Sequence, residues 1–136
     1  MFRLEHLGLK GVKIMLENKI IAVDADGTLF YEPYPKCGKP NTRLIEWLKE
    51  CQKHGCKLIL WTMREGKPLE DAVEFCRQYG LEFDAVNDNL EEMKQRYNNN
   101  PRKIFCDYYI DDTHFTSDFL IRKTTIENER PKARII

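Results

Sequence analysis

Long hydrophobic runs are missing from this chain of 136 residues. A membrane helix needs about 20 consecutive apolar residues, and the longest runs here, Ile20–Val23 and Leu58–Trp61, are only strand-sized. An excess of one charge is missing too. The 22 Lys and Arg are matched by 22 Asp and Glu, and the isoelectric point is near 6.8. No global field therefore draws the chain to nucleic acid or an anionic membrane surface. Zinc motifs are absent: the five cysteines form no Cys-x-x-Cys pair, and three histidines supply no zinc spacing. An odd number of cysteines predicts reduced thiols and a cytoplasmic protein. The start, Met1-Phe2-Arg3-Leu4-Glu5-His6, has neither an apolar h-region nor a small-residue cleavage site, so it does not read as a secretory leader.

What is present is an ordinary globular composition, 42% hydrophobic. Residues 1–14 show no period and read as a flexible or non-native extension. Met15 lies shortly before the first apolar strand, and Lys10-Gly11-Val12 can be encoded by a ribosome-site-like stretch ahead of a Met15 start. Residues 15–136 then form a single domain. Lys19–Asp24 predicts a strand ending in acid, and Gly27–Lys39, with Pro33, Pro35 and Gly38, predicts an irregular flap. Asn41 is a candidate N-cap for a helix carrying Leu44, Ile45, Leu48 and Cys51 on one face and ending at Gly55, with His54 at its C-terminal end. Cys56–Thr62 predicts a second buried strand. Pro68 fits a first helical turn, with Leu69, Ala72, Val73 and Cys76 on one face and Gly80 as the stop. Leu81–Val86 predicts a third strand, and Asp88 with Glu91 a capping box for a helix over Leu90–Tyr97. Ile104–Ile110 predicts the fourth strand. Edge strands are expected at Phe119–Ile121 and Ala133–Ile136, with Thr124–Glu129 between them.

Strands alternating with helices predict a three-layer, Rossmann-like α/β fold with a parallel sheet flanked by helices. Ligands in such folds bind at the carboxyl ends of the strands. There the sequence places Asp24-Ala25-Asp26-Gly27-Thr28, then Thr62, then Asp111-Asp112, with Lys103 upstream of the fourth strand. Taken singly, each has an ordinary reading: Asp-x-Asp-Gly is turn-forming, Asp111-Asp112 a solvated turn, Thr62 a strand-end hydroxyl, Lys103 a solvated cation. Their joint placement is what argues for a site. Crowded carboxylates need a cation, and an oxygen-only set suits Mg²⁺, which partners phosphate. Thr62 and Lys103 can hold phosphate oxygens. One carboxylate can attack phosphorus, and a second can protonate the leaving group and then activate water.

These residues resemble the haloacid dehalogenase-like superfamily of phosphatases: IAVDADGTLF its first motif, LILWT its second, DYYIDD its acidic fourth. Within it, YPKCGKP and LILWTMREG are similar to small, mostly uncharacterised bacterial and phage proteins. The resemblance implies Asp24 as nucleophile and Asp26 as general acid/base that also lends its backbone carbonyl to Mg²⁺. It implies Thr62 on the transferring phosphoryl group, Lys103 neutralising Asp24 and phosphate, and Asp111 on the metal with Asp112 beside it, directly or through water. Lys94 is the other candidate for the lysine. Asp26 argues for phosphoryl transfer, since the dehalogenase members lack that acid. Arg64, and Glu65 after it, are placed to reach substrate or to form an exposed salt bridge.

The intervals Asp24 to Thr62 and Thr62 to Lys103 have no room for the cap domain the family usually carries. The cleft is expected to be open to a phosphorylated small molecule or to a phosphate on a larger one, with a second copy of the chain able to close it. Phe30, Tyr31 and Tyr34 could stack on a base or sugar, although packing of their own loop is the plainer reading. Trp47 and Trp61 are expected in the core, Cys106 in a strand and His114 in a loop. The function expected is a Mg²⁺-dependent phosphatase working through an aspartyl-phosphate, with no membrane partner and no strong nucleic-acid signal. The rivals are a phospho-accepting receiver-like module, disfavoured by the order of its acids, and a catalytically inactive phosphate-binding module, disfavoured because no motif position is missing.

Overall fold

Ile20–Val23 is an unbroken apolar run because both faces of the strand it forms are covered. The computed structural model describes residues 16–111. The chain runs β1 (Ile20–Val23), α1 (Thr42–Lys53), β2 (Lys57–Leu60), α2 (Gly66–Gln78), β3 (Ala85–Val86), α3 (Glu91–Tyr97) and β4 (Tyr108–Ile110). Among the described residues every strand pairing is parallel, and the order is β3-β2-β1-β4. This is the expected α/β, Rossmann-like architecture.

Strand periodicity divides the core. Ile21, Val23, Leu58 and Leu60 face α1 and α2, meeting Leu44, Ile45, Trp47, Leu48 and Cys51 of the first and Ala72 and Cys76 of the second. Ile20, Ala22 and Ile59 face the other way, against Leu90, Met93 and Ile104 around α3. The sheet is thus the middle of three layers. Trp47 is fully buried, whereas Trp61 is half-buried at the edge of the smaller cluster. Asn41 caps α1 as expected, its side chain accepting the Leu44 N–H, and His54 is the C-cap.

Three boundaries differ from expectation. The capping box fails: Leu90 is the N-cap of α3 and supplies no side-chain bond. Asp88 instead takes the Lys94 ammonium on one oxygen at 2.6 Å and the Asn89 N–H on the other at 2.9 Å, so both oxygens are engaged away from the Glu91 N–H that a capping box would use. β3 and β4, the outer strands among the described residues, are shorter than their apolar runs. Asp84 accepts the Leu58 N–H on its carboxylate at 2.7 Å while its own N–H donates to the Leu58 carbonyl at 2.8 Å, so side-chain pairing stands ahead of Ala85. Asp107 does the same to Ile20, with bonds of 2.8 and 2.7 Å, and β4 starts only after it. Cys106 therefore lies before the strand.

The stretch from Asp24 to Thr62 holds a loop, α1 and β2, and that from Thr62 to Lys103 holds α2, β3 and α3, leaving no inserted cap. All five cysteines are free. No helix among the described residues is long and apolar enough to cross a membrane. The extension over 1–14, Asp112, His114 and the elements expected over 119–136 lie outside the described residues.

Candidate active site

The register of the central strands builds the site. Val23 pairs with Leu60 on one side and with Ile110 on the other. Parallel neighbours stand about 4.8 Å apart, so Asp24 and Asp111, each one residue beyond the last pair, emerge side by side. The Asp24 N–H donates to the Ile110 carbonyl at 2.9 Å, and on the other flank the Trp61 N–H donates to Val23 at 2.9 Å, bringing Thr62 to the same edge. The Thr28 hydroxyl reaches the Asp24 carboxylate at 3.5 Å. Asp111 is buried and accepts the Tyr109 hydroxyl. Burial first, then the charge of Asp111 and its bond to it, hold that phenol well above its ordinary value, with Asp24 adding to the effect. Tyr109 was missed from sequence. Its signal is the i, i+2 spacing that puts it on the face of β4 shared with Asp111.

The turn after Asp24 is fixed from within. Gly27 has φ of 78°, a conformation glycine adopts without a Cβ penalty, and its N–H donates to the Phe30 carbonyl at 2.9 Å. The Ala25 carbonyl accepts the N–H groups of Thr28 and Leu29 at 3.1 and 2.8 Å. Asn41 joins turn and helix, its amide donating to the Thr28 carbonyl at 2.9 Å while its oxygen caps α1.

Arg64 corrects the sequence expectation. It neither reaches outward to substrate nor forms an exposed salt bridge, because its side chain is only 1% exposed. Nε donates to Asp26 Oδ2 at 2.8 Å and Nη2 to Asp26 Oδ1 at 2.7 Å, a bidentate pair. Nη1 donates to the carbonyls of Pro35 and Pro68, and Nη2 to that of Lys36, each at 3.0 Å. All five N–H donors of the guanidinium are in use. Its carbon lies 5.0 and 5.1 Å from the ring centres of Phe30 and Tyr34, a cation–π arrangement. These aromatics therefore pack the loop, with Phe30 also edge-on to Phe75 at 5.3 Å. The Asp26 bond, ahead of the opposing burial, raises the Arg64 pKa further. Glu65 is exposed at the N-cap of α2.

Thr62 is set by Asn87. The Thr62 N–H donates to Asn87 Oδ1 at 2.8 Å, the Asn87 amide donates to the Arg64 carbonyl at 3.3 Å, and the Arg64 N–H donates to the Thr62 hydroxyl at 3.1 Å. The hydroxyl keeps its own proton to donate. Asn87 has φ of 51°, and asparagine just past a strand is the signal that could have marked it.

The two candidate lysines differ. Lys94 is tied to Asp88 at 2.6 Å and to Glu91 at 3.6 Å. Lys103 is exposed, makes no ion pair among the described residues, and lines a cavity of about 460 Å³ beside α3 with Asn89, Met93, Tyr97 and Phe105. Its charge is felt at Cys106, on that same face of the sheet. A second cavity of about 460 Å³, lined by Trp61, Asn87 and Arg102 among others, shares the wall of Asn89, Pro101 and Ile104 with the first.

The structure thus gathers Asp24, Thr28, Asp111 and Tyr109, sets Thr62 beside them, and turns Asp26 toward Arg64. No group of three or more His, Cys, Asp or Glu side chains that could hold a metal occurs among the described residues. Asp24 and Asp111, at neighbouring strand ends, offer oxygen donors only, and Mg²⁺ is commonly held by one or two carboxylates with its remaining positions left to water and phosphate.

No protein-family profile matches the chain, and no curated protein does. A solved structure of a conserved protein from Bacteroides thetaiotaomicron is similar to it, at 34% identity and a TM-score of 0.68, over 85% of this chain and 94% of the other. The chain belongs to the family of that conserved Bacteroides protein.

Proposed function

We propose that the chain is a Mg²⁺-dependent phosphomonoesterase of the haloacid dehalogenase-like kind, working through a phosphoryl group carried on Asp24. The observation that carries this reading is the register of β1 and β4, which sets two carboxylates side by side where an α/β sheet binds its ligands. Asp24, Asp111 and the Asp26 main-chain carbonyl would hold the ion, which supplies charge neutralisation between acids and phosphate when bound. Asp24 attacks phosphorus and the bond to the leaving oxygen breaks. Asp26 gives that oxygen a proton and afterwards takes one from the attacking water. Arg64 occupies one lone pair on each Asp26 oxygen, which leaves others for the proton. The Thr62 hydroxyl donates to an equatorial phosphate oxygen. Lys103 remains the choice for the neutralising lysine, since Lys94 is already engaged with Asp88. The absence of an inserted domain between Asp24 and Lys103 suits a phosphorylated small molecule or a phosphate presented on a larger one.

The test is hydrolysis of an aryl phosphate ester. Turnover should appear with added Mg²⁺ and vanish after exhaustive chelation. Full turnover by chelated protein removes the metal, and no turnover under either condition removes the reading.

A further inference from the structure

We infer that Arg64 is the positioning residue for Asp26 and that it ties the direction of that carboxylate to the flap Gly27–Lys39. The inference rests on the phosphoesterase reading, in which Asp26 acts as acid in the first half-reaction and as base in the second. An activated aryl leaving group departs without that proton, so with such a substrate only the second half depends on Asp26. There a water oxygen bonds to phosphorus, the bond from phosphorus to the Asp24 carboxylate breaks with its electron pair staying on the carboxylate, and the water proton passes to Asp26. The transfer needs an Asp26 lone pair aimed at the water. The terminal torsion of an aspartate is broad and does not aim itself. A bidentate guanidinium does, because two parallel bonds of 2.7 and 2.8 Å fix the plane of the carboxylate.

Two features separate this pair from an ordinary surface ion pair. Burial is lopsided: the Arg64 side chain is 1% exposed and that of Asp26 36%. The cation is the anchored member, and the acid keeps a solvent-facing side where water and substrate arrive. The anchor is also built largely by the flap, through the carbonyls of Pro35 and Lys36 and the ring of Tyr34, with the Pro68 carbonyl completing it from the first turn of α2. A shift of the flap is therefore passed to Asp26. A lysine could not substitute, since it has no planar fork to hold a carboxylate and three carbonyls together.

Rapid-quench kinetics on an aryl phosphate with Mg²⁺ separate the two halves. Arg64→Gln should form phosphoenzyme at a rate close to wild type but hydrolyse it about 10²-fold more slowly, the scale of loss when a reacting group is misplaced. Arg64→Lys should not restore hydrolysis, whereas a residue needed only for its charge would be rescued. In an Asp26→Asn background, Arg64→Gln should slow hydrolysis no further. Wild-type hydrolysis in Arg64→Gln, or a loss that adds in full to that of Asp26→Asn, overturns the inference and leaves the phosphoesterase reading standing. A wild type that neither turns over nor forms phosphoenzyme overturns both. If Arg64→Gln fails to fold, Tyr34→Leu decides, since it removes one ring of the anchor and keeps all five hydrogen bonds. Slower phosphoenzyme hydrolysis with unchanged formation supports the coupling, and unchanged hydrolysis overturns it.

Discussion

Aspartates stand at both edges of the sheet and do opposite things there. At the amino ends, Asp84 and Asp107 each accept a main-chain N–H, from Leu58 and Ile20, and so begin the edge strands. At the carboxyl ends, Asp24 and Asp111 are neighbours through strand register, and Asp26 lies in the grip of Arg64. The first pair lowers the free energy of the fold by satisfying donors. Two carboxylates at neighbouring strand ends repel each other unless a cation or donors come between them, a placement that suits a ligand site better than a strand start. The same residue type is thus structural where it meets N–H groups and, in the proposed function, chemical where it meets another acid.

The largest effect that sharpens this contrast is Asp24→Asn. Phosphatase turnover should fall to background while the melting temperature does not fall, because a like charge beside Asp111 has been removed. A drop in melting temperature with activity retained would break the contrast. Asp26→Asn should cost about 10²–10⁴ in turnover, the usual scale for a lost acid/base group, measured as steady-state kcat on the aryl phosphate. Asp107→Ala should do the reverse. It leaves the Ile20 N–H unpaired and should cost about 1–2 kcal/mol in denaturant unfolding, with kcat unchanged, and Asp107→Asn should recover most of that because its carbonyl still accepts.

The smallest effect belongs to Asp88 on the α3 side. Lys94, as the first cause, lowers its pKa below 3.8. A depressed carboxylate contributes stability that is present above its unfolded pKa and lost as pH falls through the folded one. The pair is partly open to solvent, so screening keeps the gain small. Asp88→Asn should melt slightly below wild type near neutral pH, and the gap should close as pH falls below about 4, from the reference carboxylate range. A gap that widens in acid would contradict the assignment.

The sequence revealed what depends on local pattern. The strand cores, the two long helices, the Asn41 cap and the aspartates at the strand ends all follow from neighbours a few residues apart. Partnerships across the chain were not legible. Arg64 reads as a surface arginine until Asp26, Pro35, Lys36 and Pro68 are seen to converge on it. Asn87 reads as a loop residue until it meets the Thr62 N–H. The apolar runs Leu81–Val86 and Ile104–Ile110 promised longer strands, because nothing in their own hydropathy says that Asp84 and Asp107 place side-chain bonds ahead of the ladder. The capping box misled because the Lys94 charge, six residues on, competes for the same carboxylate.

The central claim is that Asp24 carries the phosphoryl group and Asp26 helps remove it. Intact-mass spectrometry after rapid quench with an activated phosphate donor and Mg²⁺ tests it directly. Wild type should show little adduct, Asp26→Asn a clear added phosphate mass, and Asp24→Asn none. An adduct that persists on wild type without turnover would mark a phospho-accepting module instead, and one that survives in Asp24→Asn would contradict the assignment of the nucleophile.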